Sequence, residues 1–195
     1  MDLLSQWVLS EACAQAARWP SDLQVAVNCS VFQLHRGNAA MAAASALERS
    51  GLRPDRLTVE VTEVSVADDD AAADMRVMTR LGIQLTVDDV GADWSVMDRL
   101  RDRAVNTVKI EAALIASLTD DGTSRESIQA IVTMSHSLGV CTVAEAVETG
   151  QQVAILRELG VDTAQGYFFS RPLTPPDALS LAALNPPPTF ALSAP

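Results

Sequence analysis

The chain has 195 residues, of which 48% are hydrophobic and 20% charged, and its net charge at neutral pH is −11. This composition predicts a globular domain, and the acidic charge disfavours a nucleic-acid polymer or an anionic membrane as partner. No apolar run has the length of a membrane-spanning helix and the start lacks the layout of a secretory signal, so we expect a cytoplasmic protein without a membrane segment. Cys13, Cys29 and Cys141 are scattered and are expected as small core residues.

Short apolar runs alternate with longer stretches of helical period, which predicts β/α units around a parallel sheet. The six predicted strands are residues 23–29, 57–63, 83–89, 104–110, 140–145 and 162–167. The predicted helices are residues 3–18, 39–50, 69–81, 95–101, 124–138, 149–159 and 175–184. The helix-ending glycines are Gly51, Gly82, Gly139 and Gly160, which we expect in the left-handed conformation. Residues 1–184 are therefore interpreted as one domain, and the proline-rich tail, residues 185–195, is expected to be disordered.

Each predicted strand has, on its C-terminal side, polar residues that do not suit a buried core. These residues are Asn28, Glu60 with Glu63, Asp88 with Asp89, Lys109, Glu145 and Gln165. At one strand such a residue is usually a helix cap or a turn former. Its recurrence at all six strands favours a functional site, because the C-terminal strand ends of a β/α barrel converge on one face.

This set of residues is rich in carboxylate and amide oxygens, which are hard ligands. Such ligands suit Mg²⁺, Mn²⁺ or Ca²⁺ rather than Zn²⁺. Asp88 and Asp89 would repel each other unless one were protonated or a cation lay between them. Lys109 could neutralise the carboxylates, orient a water molecule or bind developing negative charge. The sequence therefore predicts a divalent metal site at this face.

The segments around these residues resemble a known family. In chain order they are VNCS (27–30), VEVTE (59–63), LGIQLTVDDVG (81–91), VKIE (108–111), HSLGVCTVAEAVET (136–149) and LGVDTAQGYFFSRPL (159–173). Together they resemble the EAL-domain phosphodiesterases, which hydrolyse the bacterial second messenger cyclic di-GMP, over about residues 3–184. The resemblance implies a modified (β/α)8 TIM-barrel-like fold that converts cyclic di-GMP to the linear dinucleotide pGpG with Mg²⁺ or Mn²⁺.

The resemblance also implies a metal-binding role for four residues. Asn28, Glu60 and Asp88 match metal ligands of the family. Asp89 matches the partner carboxylate near a second metal. Two cations held in this way deprotonate a water molecule and stabilise charge on the phosphate, so no nucleophilic serine or cysteine is needed.

Four further residues match family positions around the metals. Lys109 matches the lysine that holds the attacking water or the phosphate, and Glu145 matches a further metal-site carboxylate. Gln165 matches the glutamine at the last strand end, in the substrate-binding region. Glu63 matches a residue that supports the loop after Asp89. The family also implies a homodimer through helices near that loop.

The chain departs from the family at the Glu-Ala-Leu motif, whose glutamate is a metal ligand on the second strand of the barrel. The sequence begins at the helix after that strand, so we expect a barrel that lacks its first two strands. The absent glutamate favours inactivity, because Mg²⁺ demands near-ideal octahedral oxygen geometry. Ala92 and Asp93 alter the loop after the aspartates, and Ala146 replaces a glycine.

Two hypotheses about function follow from these observations. The first is metal-dependent hydrolysis of cyclic di-GMP, which the retained polar residues favour. The second is a degenerate, non-catalytic EAL domain that binds cyclic di-GMP or a protein, which the absent glutamate and the altered loop favour. A third interpretation, a carboxylate-based barrel enzyme of the enolase type, shares the acidic residues but lacks support from VEVTE, AEAVE and QGY.

Overall fold

In the part of the chain that the structure describes, six parallel β-strands form one curled sheet, and neighbours in the sheet are also neighbours in the chain. The computed structural model describes residues 3–20, 23–34, 38–62, 68–91, 105–119 and 122–184. Within these ranges the strands are β1 (Val25–Asn28), β2 (Leu57–Thr62), β3 (Gln84–Val90), β4 (Thr107–Ile110), β5 (Cys141–Ala144) and β6 (Thr163–Ala164). The architecture is a TIM-barrel-like half-barrel, which confirms the predicted fold class.

Helices connect the strands, as β/α units require. They are α1 (Leu3–Ala16), α2 (Val31–Leu34), α3 (Asn38–Ser50), α4 (Asp69–Arg80), α5 (Ala112–Ala116), α6 (Gly122–Ser137), α7 (Gly150–Glu158) and α8 (Pro175–Ala182). A short 3₁₀ helix, Pro54–Arg56, precedes β2. The predicted helix at 95–101, Glu63 and the tail at 185–195 lie outside the described residues. None of the helices in the described ranges combines the length and apolar character needed to cross a membrane.

Helix ends follow the expected local chemistry. Asp68 caps α4 by accepting a hydrogen bond from the backbone N–H of Ala71 at 2.9 Å. Thr149 and Gln152 form a reciprocal capping box at the start of α7. The four predicted helix-ending glycines have φ between 68° and 89°, which confirms their left-handed conformation.

Apolar side chains of the central strands cover one face of the sheet. Leu85, Val87, Val108 and Ile110 are fully buried, and the strand register places them on this same face. Cys13 and Cys29 are buried, and burial raises the pKa of these thiols to about 11 and about 12. The expectation of a core position was wrong for Cys141, which is exposed at the first position of β5.

A buried carboxylate links two neighbouring helices. Asp74 of α4 is 1% exposed, and it accepts hydrogen bonds from the backbone N–H groups of Ala39 at 3.0 Å and Ala40 at 3.3 Å. These groups belong to the first turn of α3, where helical N–H groups lack intrahelical acceptors. Asp74 therefore caps α3 from a separate element.

A second carboxylate links α6, β5 and β6 at the N-terminal side of the sheet. Asp162 Oδ2 accepts hydrogen bonds from the backbone N–H of Thr142 at 2.7 Å and from its hydroxyl at 2.8 Å. His136 Nε2 lies 3.0 Å from the same oxygen. Burial raises the pKa of Asp162, but the hydrogen bonds from His136 and Thr142 outweigh it and hold the pKa below its usual value.

Candidate metal centre

The predicted site residues lie at the C-terminal ends of the strands. Asn28 ends β1, Glu60 lies in β2, Asp88 and Asp89 in β3, Lys109 in β4, Glu145 directly after β5 and Gln165 directly after β6. Asn28 is the register partner of Glu60, and its side chain is exposed. Because the strands are parallel and in sequential order, these residues lie along one rim of the half-barrel.

Lys109 is at the centre of this rim and is the single lysine of the sequence. Its Nζ lies 2.9 Å from Glu60 Oε2, 3.2 Å from Asp88 Oδ1 and 2.5 Å from Glu145 Oε1. The side chain of Lys109 is 7% exposed and those of its partners are 12% to 17% exposed. The ammonium group thus bridges three carboxylates on three different strands or strand ends.

The electrostatic environment favours a charged Lys109. Burial lowers the pKa of Lys109, but hydrogen bonds to Glu145 and Glu60 and their negative charges outweigh burial, so the pKa is raised. Burial also raises the pKa of Glu145, and it outweighs the opposing effect of Lys109, with the charges of Asp88 and Glu60 adding to it. Both shifts reflect a site that holds more carboxylates than cations.

A β-bulge brings the two aspartates to the same rim. In the pairing of β3 with β4, Val87 lies opposite Val108 and Val90 lies opposite Ile110. Two residues of β3, Asp88 and Asp89, therefore lie opposite the single residue Lys109 of β4. Asp89 adopts a left-handed φ of 59°, and its backbone N–H donates to Asp88 Oδ1 at 3.0 Å. In a regular strand consecutive side chains would point to opposite faces.

The bulge creates a cluster of oxygen ligands. Oxygen atoms of Asp88, Asp89 and Glu145 lie within 4.8 Å of one another. Three carboxylates at this spacing fit a hard divalent cation, because such ions prefer oxygen ligands and offset the mutual repulsion of carboxylates. Glu60 pairs with Lys109, as Asp88 and Glu145 do, but it does not belong to this group of three.

Backbone geometry fixes the position of Glu145 and Gln165. Gln165 Nε2 donates to Glu145 Oε1 at 2.6 Å. Val147 N–H donates to the Gln165 carbonyl at 3.0 Å, so the loops after β5 and β6 are paired. Gly166 has a φ of 155°, and a Cβ there would overlap the backbone of Val147, so this close approach of the two loops requires glycine.

A cleft of about 570 Å³ adjoins Gln165. Tyr167 and Arg171 contribute to its wall, and the Arg171 guanidinium carbon lies 4.8 Å from the centre of the Tyr167 ring. Glu148 also lines this cleft. Neither Tyr167 nor Glu148 was singled out from the sequence, although both lie within the QGY and AEAVE segments that carry the family resemblance.

The similarity to known proteins covers most of the chain. The family model described as EAL domain matches residues 1–172. The chain belongs to the EAL-domain family. This EAL domain is 35% identical over 179 residues to the cyclic di-GMP phosphodiesterase NbdA of Pseudomonas aeruginosa, in an alignment that covers 89% of the chain and 23% of NbdA. The resemblance inferred from the sequence is thereby confirmed.

Solved structures of EAL proteins share the fold. The MucR phosphodiesterase, from P. aeruginosa, in complex with c-di-GMP is 32% identical, with a TM-score of 0.83 over 90% of this chain and 74% of that chain. BlrP1 of Klebsiella pneumoniae, in a manganese and cyclic di-GMP complex, is 30% identical, with a TM-score of 0.78 over 87% of this chain and 44% of that chain.

The EAL domain is one part of the curated relatives that it matches. The chain spans 22% of the length of the first of them and 31% of another. EAL phosphodiesterases are divalent-metal dependent, and BlrP1 has been solved in complex with calcium and with manganese. The all-oxygen cluster of Asp88, Asp89 and Glu145 agrees with that class of metal.

Proposed function

We propose that this EAL domain binds cyclic di-GMP and hydrolyses one of its phosphodiester bonds to give pGpG, with Mg²⁺ or Mn²⁺ as cofactor. The observation that carries the proposal is the cluster of Asp88, Asp89 and Glu145 oxygens beside the ammonium of Lys109. Related structures with bound cyclic di-GMP support the choice of ligand.

The metal would be held by Asp88, Asp89 and Glu145, with Glu60 and Asn28 as further candidate ligands at the adjacent strand ends. A divalent cation bound there would lower the pKa of a water molecule and offset charge on the phosphate oxygens. Hydrolysis forms a bond between the water oxygen and phosphorus and breaks the bond from phosphorus to the ribose 3′ oxygen, which takes up a proton.

The chain's own residues would orient the reactants. The Lys109 ammonium can donate a hydrogen bond to the attacking water or to a phosphate oxygen, because it stays charged among its carboxylate partners. Gln165 holds the Glu145 carboxylate by donating to Oε1. The adjoining cleft at Tyr167 and Arg171 has room for part of a nucleotide.

A second candidate function is binding of cyclic di-GMP without hydrolysis. One observation favours it: Lys109 contacts Glu60, Asp88 and Glu145 at 2.9, 3.2 and 2.5 Å, so its ammonium already neutralises carboxylates that the family resemblance assigns to the metal site. A site neutralised by Lys109 in this way would bind a cation more weakly, and a nucleotide could still occupy the cleft.

Hydrolysis and binding are separated by product analysis together with calorimetry. Cyclic di-GMP is incubated with the protein and Mn²⁺ or Mg²⁺, with and without chelator, and pGpG is measured by chromatography. Asp88→Asn removes a cluster carboxylate, and Asp70→Asn changes an exposed aspartate of α4 as the matched control. Metal-dependent pGpG from wild type and Asp70→Asn, and its loss in Asp88→Asn, supports the proposal.

Two other outcomes oppose hydrolysis. Heat of cyclic di-GMP binding without pGpG would leave the binding function. The absence of both pGpG and binding heat would contradict both functions. The homodimer implied by the family is a separate proposal, tested by sedimentation of the protein with and without cyclic di-GMP.

A further inference from the structure

We infer that Gln152 is a positioning residue that holds the Glu145 loop against the element following Lys109, an inference that rests on the proposed function of the site. Gln152 lies in the first turn of α7 and is 7% exposed. Its amide makes contacts with two other parts of the chain, both next to site-bearing strands.

The oxygen of the Gln152 amide fixes the loop after β5. Gln152 Oε1 accepts hydrogen bonds from the backbone N–H of Glu148 at 2.8 Å and from that of Thr149 at 3.0 Å. These two residues follow Glu145 by three and four positions. The loop therefore ends on a buried amide rather than on solvent.

The nitrogen of the same amide reaches the helix that follows the strand carrying Lys109. Gln152 Nε2 donates to the carbonyl of Ile115 at 3.0 Å. Ile115 is buried in α5, which begins two residues after the end of β4. One side chain thus connects the loop that follows Glu145 to the helix that follows Lys109.

This connection bears on the short contact between the two site residues. Glu145 Oε1 lies 2.5 Å from Lys109 Nζ and accepts from Gln165 Nε2 at 2.6 Å. Ala146, the next residue, has a left-handed φ of 52°, so the loop turns sharply directly after Glu145. Hydrogen bonds beyond this turn are needed to hold the loop in place. Residues that orient metal ligands without binding the metal themselves commonly control metal affinity and activity.

The role exceeds that of a helix cap. A capping box needs an oxygen at this position to accept the N–H of Thr149, which glutamate also provides. Donation to the Ile115 carbonyl needs the amide nitrogen of glutamine. Gln152→Glu therefore keeps the cap and removes the link to α5, whereas Gln152→Ala removes the link and the side-chain half of the capping box.

The single lysine provides a direct readout. In protein labelled with ¹³C,¹⁵N-lysine, one side-chain Cε–Nζ correlation arises, from Lys109, and it is recorded without metal in the presence of chelator. We expect Gln152→Ala and Gln152→Glu to shift or broaden this correlation. The matched control is Gln151→Ala, since Gln151 is the exposed neighbour on the same helix, and it should leave the correlation unchanged.

Turnover of cyclic di-GMP supplies the second readout. We expect kcat to fall about 10-fold or more in both Gln152 variants, with KM little changed, because residues that orient ligands typically contribute at this level. Gln151→Ala should retain wild-type turnover. Thermal denaturation identifies variants that are folded, and Gln152→Glu decides the question if Gln152→Ala does not fold.

The outcomes separate this inference from the proposed function. A Lys109 correlation that is unchanged in folded Gln152→Glu overturns the inference, as does an equal shift in Gln151→Ala. If wild type forms no pGpG, the proposed hydrolysis fails, and the metal-free spectra still decide the role of Gln152.

Discussion

The Nζ of Lys109 lies 2.5 Å from Oε1 of Glu145, and both side chains are largely buried at the rim of the half-barrel. Lys109→Met removes the ammonium and leaves the three carboxylates facing one another. We expect the free energy of unfolding in chelator to fall by about 3 kcal/mol, the usual effect of breaking a buried ion pair. Saturating Mn²⁺ should restore part of this loss, because a cation offsets the same carboxylates.

Urea denaturation of wild type and Lys109→Met, each with chelator and with Mn²⁺, measures this effect. Arg125→Met, at an exposed position of α6, is the control for loss of one positive charge. An equal loss of stability with chelator and with Mn²⁺ would contradict the prediction.

Asp89 supplies a carboxylate to the cluster and adopts a left-handed backbone conformation, and two substitutions separate these contributions. Asp89→Gly and Asp89→Ala both remove the carboxylate from the cluster, so we expect both to weaken Mn²⁺ binding in calorimetric titration. At a φ of 59° alanine is strained and glycine is not, so Asp89→Ala should be less stable than Asp89→Gly by about 1 kcal/mol. Equal melting temperatures for the two variants would show that this backbone conformation is not maintained.

Asp74 stabilises the start of α3. Asp74→Ala leaves the N–H groups of Ala39 and Ala40 without their acceptor in a buried position, and we expect a loss of about 2 kcal/mol. Asp74→Asn keeps one oxygen acceptor and should lose about half as much. Urea denaturation measures both, and Asp70→Ala, at an exposed site of the same helix, should change stability by less than about 0.5 kcal/mol. A neutral Asp74→Ala would refute the tertiary cap.

Asp162 makes the stability of the domain pH dependent. Its pKa is lower in the folded chain than in the unfolded chain, so its stabilising effect is present above the unfolded pKa and is lost as the pH falls through the folded value. We expect Asp162→Asn to be less stable than wild type by about 1 to 2 kcal/mol at about pH 6. The difference should shrink at about pH 3. Urea denaturation at the two pH values tests this, and a constant difference would contradict it.

The sheet could be predicted from the sequence because each strand is a short apolar run and the helices before β2, β3, β5 and β6 end at a glycine. The elements missed were α2, α5 and the 3₁₀ helix Pro54–Arg56. They have five residues or fewer, which is too short to show a helical period. Cys141 was misassigned because the sequence does not show on which face of the sheet the first residue of a strand lies.

The position of the polar residues along one rim could also be predicted, because polar side chains at buried strand ends are conspicuous. Their partners could not. The bulge at Asp88 and Asp89 depends on pairing with β4 and has no local sequence signal. Whether Lys109 neutralises carboxylates was left open by the sequence, and the structure shows three ion pairs. The roles of the predicted site residues stay predictions, including that of Glu63 and the effect of Ala92 and Asp93.

A protein with one lysine has one internal target for amine-directed acylation, besides its α-amino group. Lys109 is shielded by three carboxylates, so acylation requires a local opening of the rim, and its rate measures the free energy of that opening. Any ligand that closes the rim would slow the reaction. Acylation of Lys109 therefore reports the opening of the site in the unmodified chain, and mass spectrometry of a single peptide measures it.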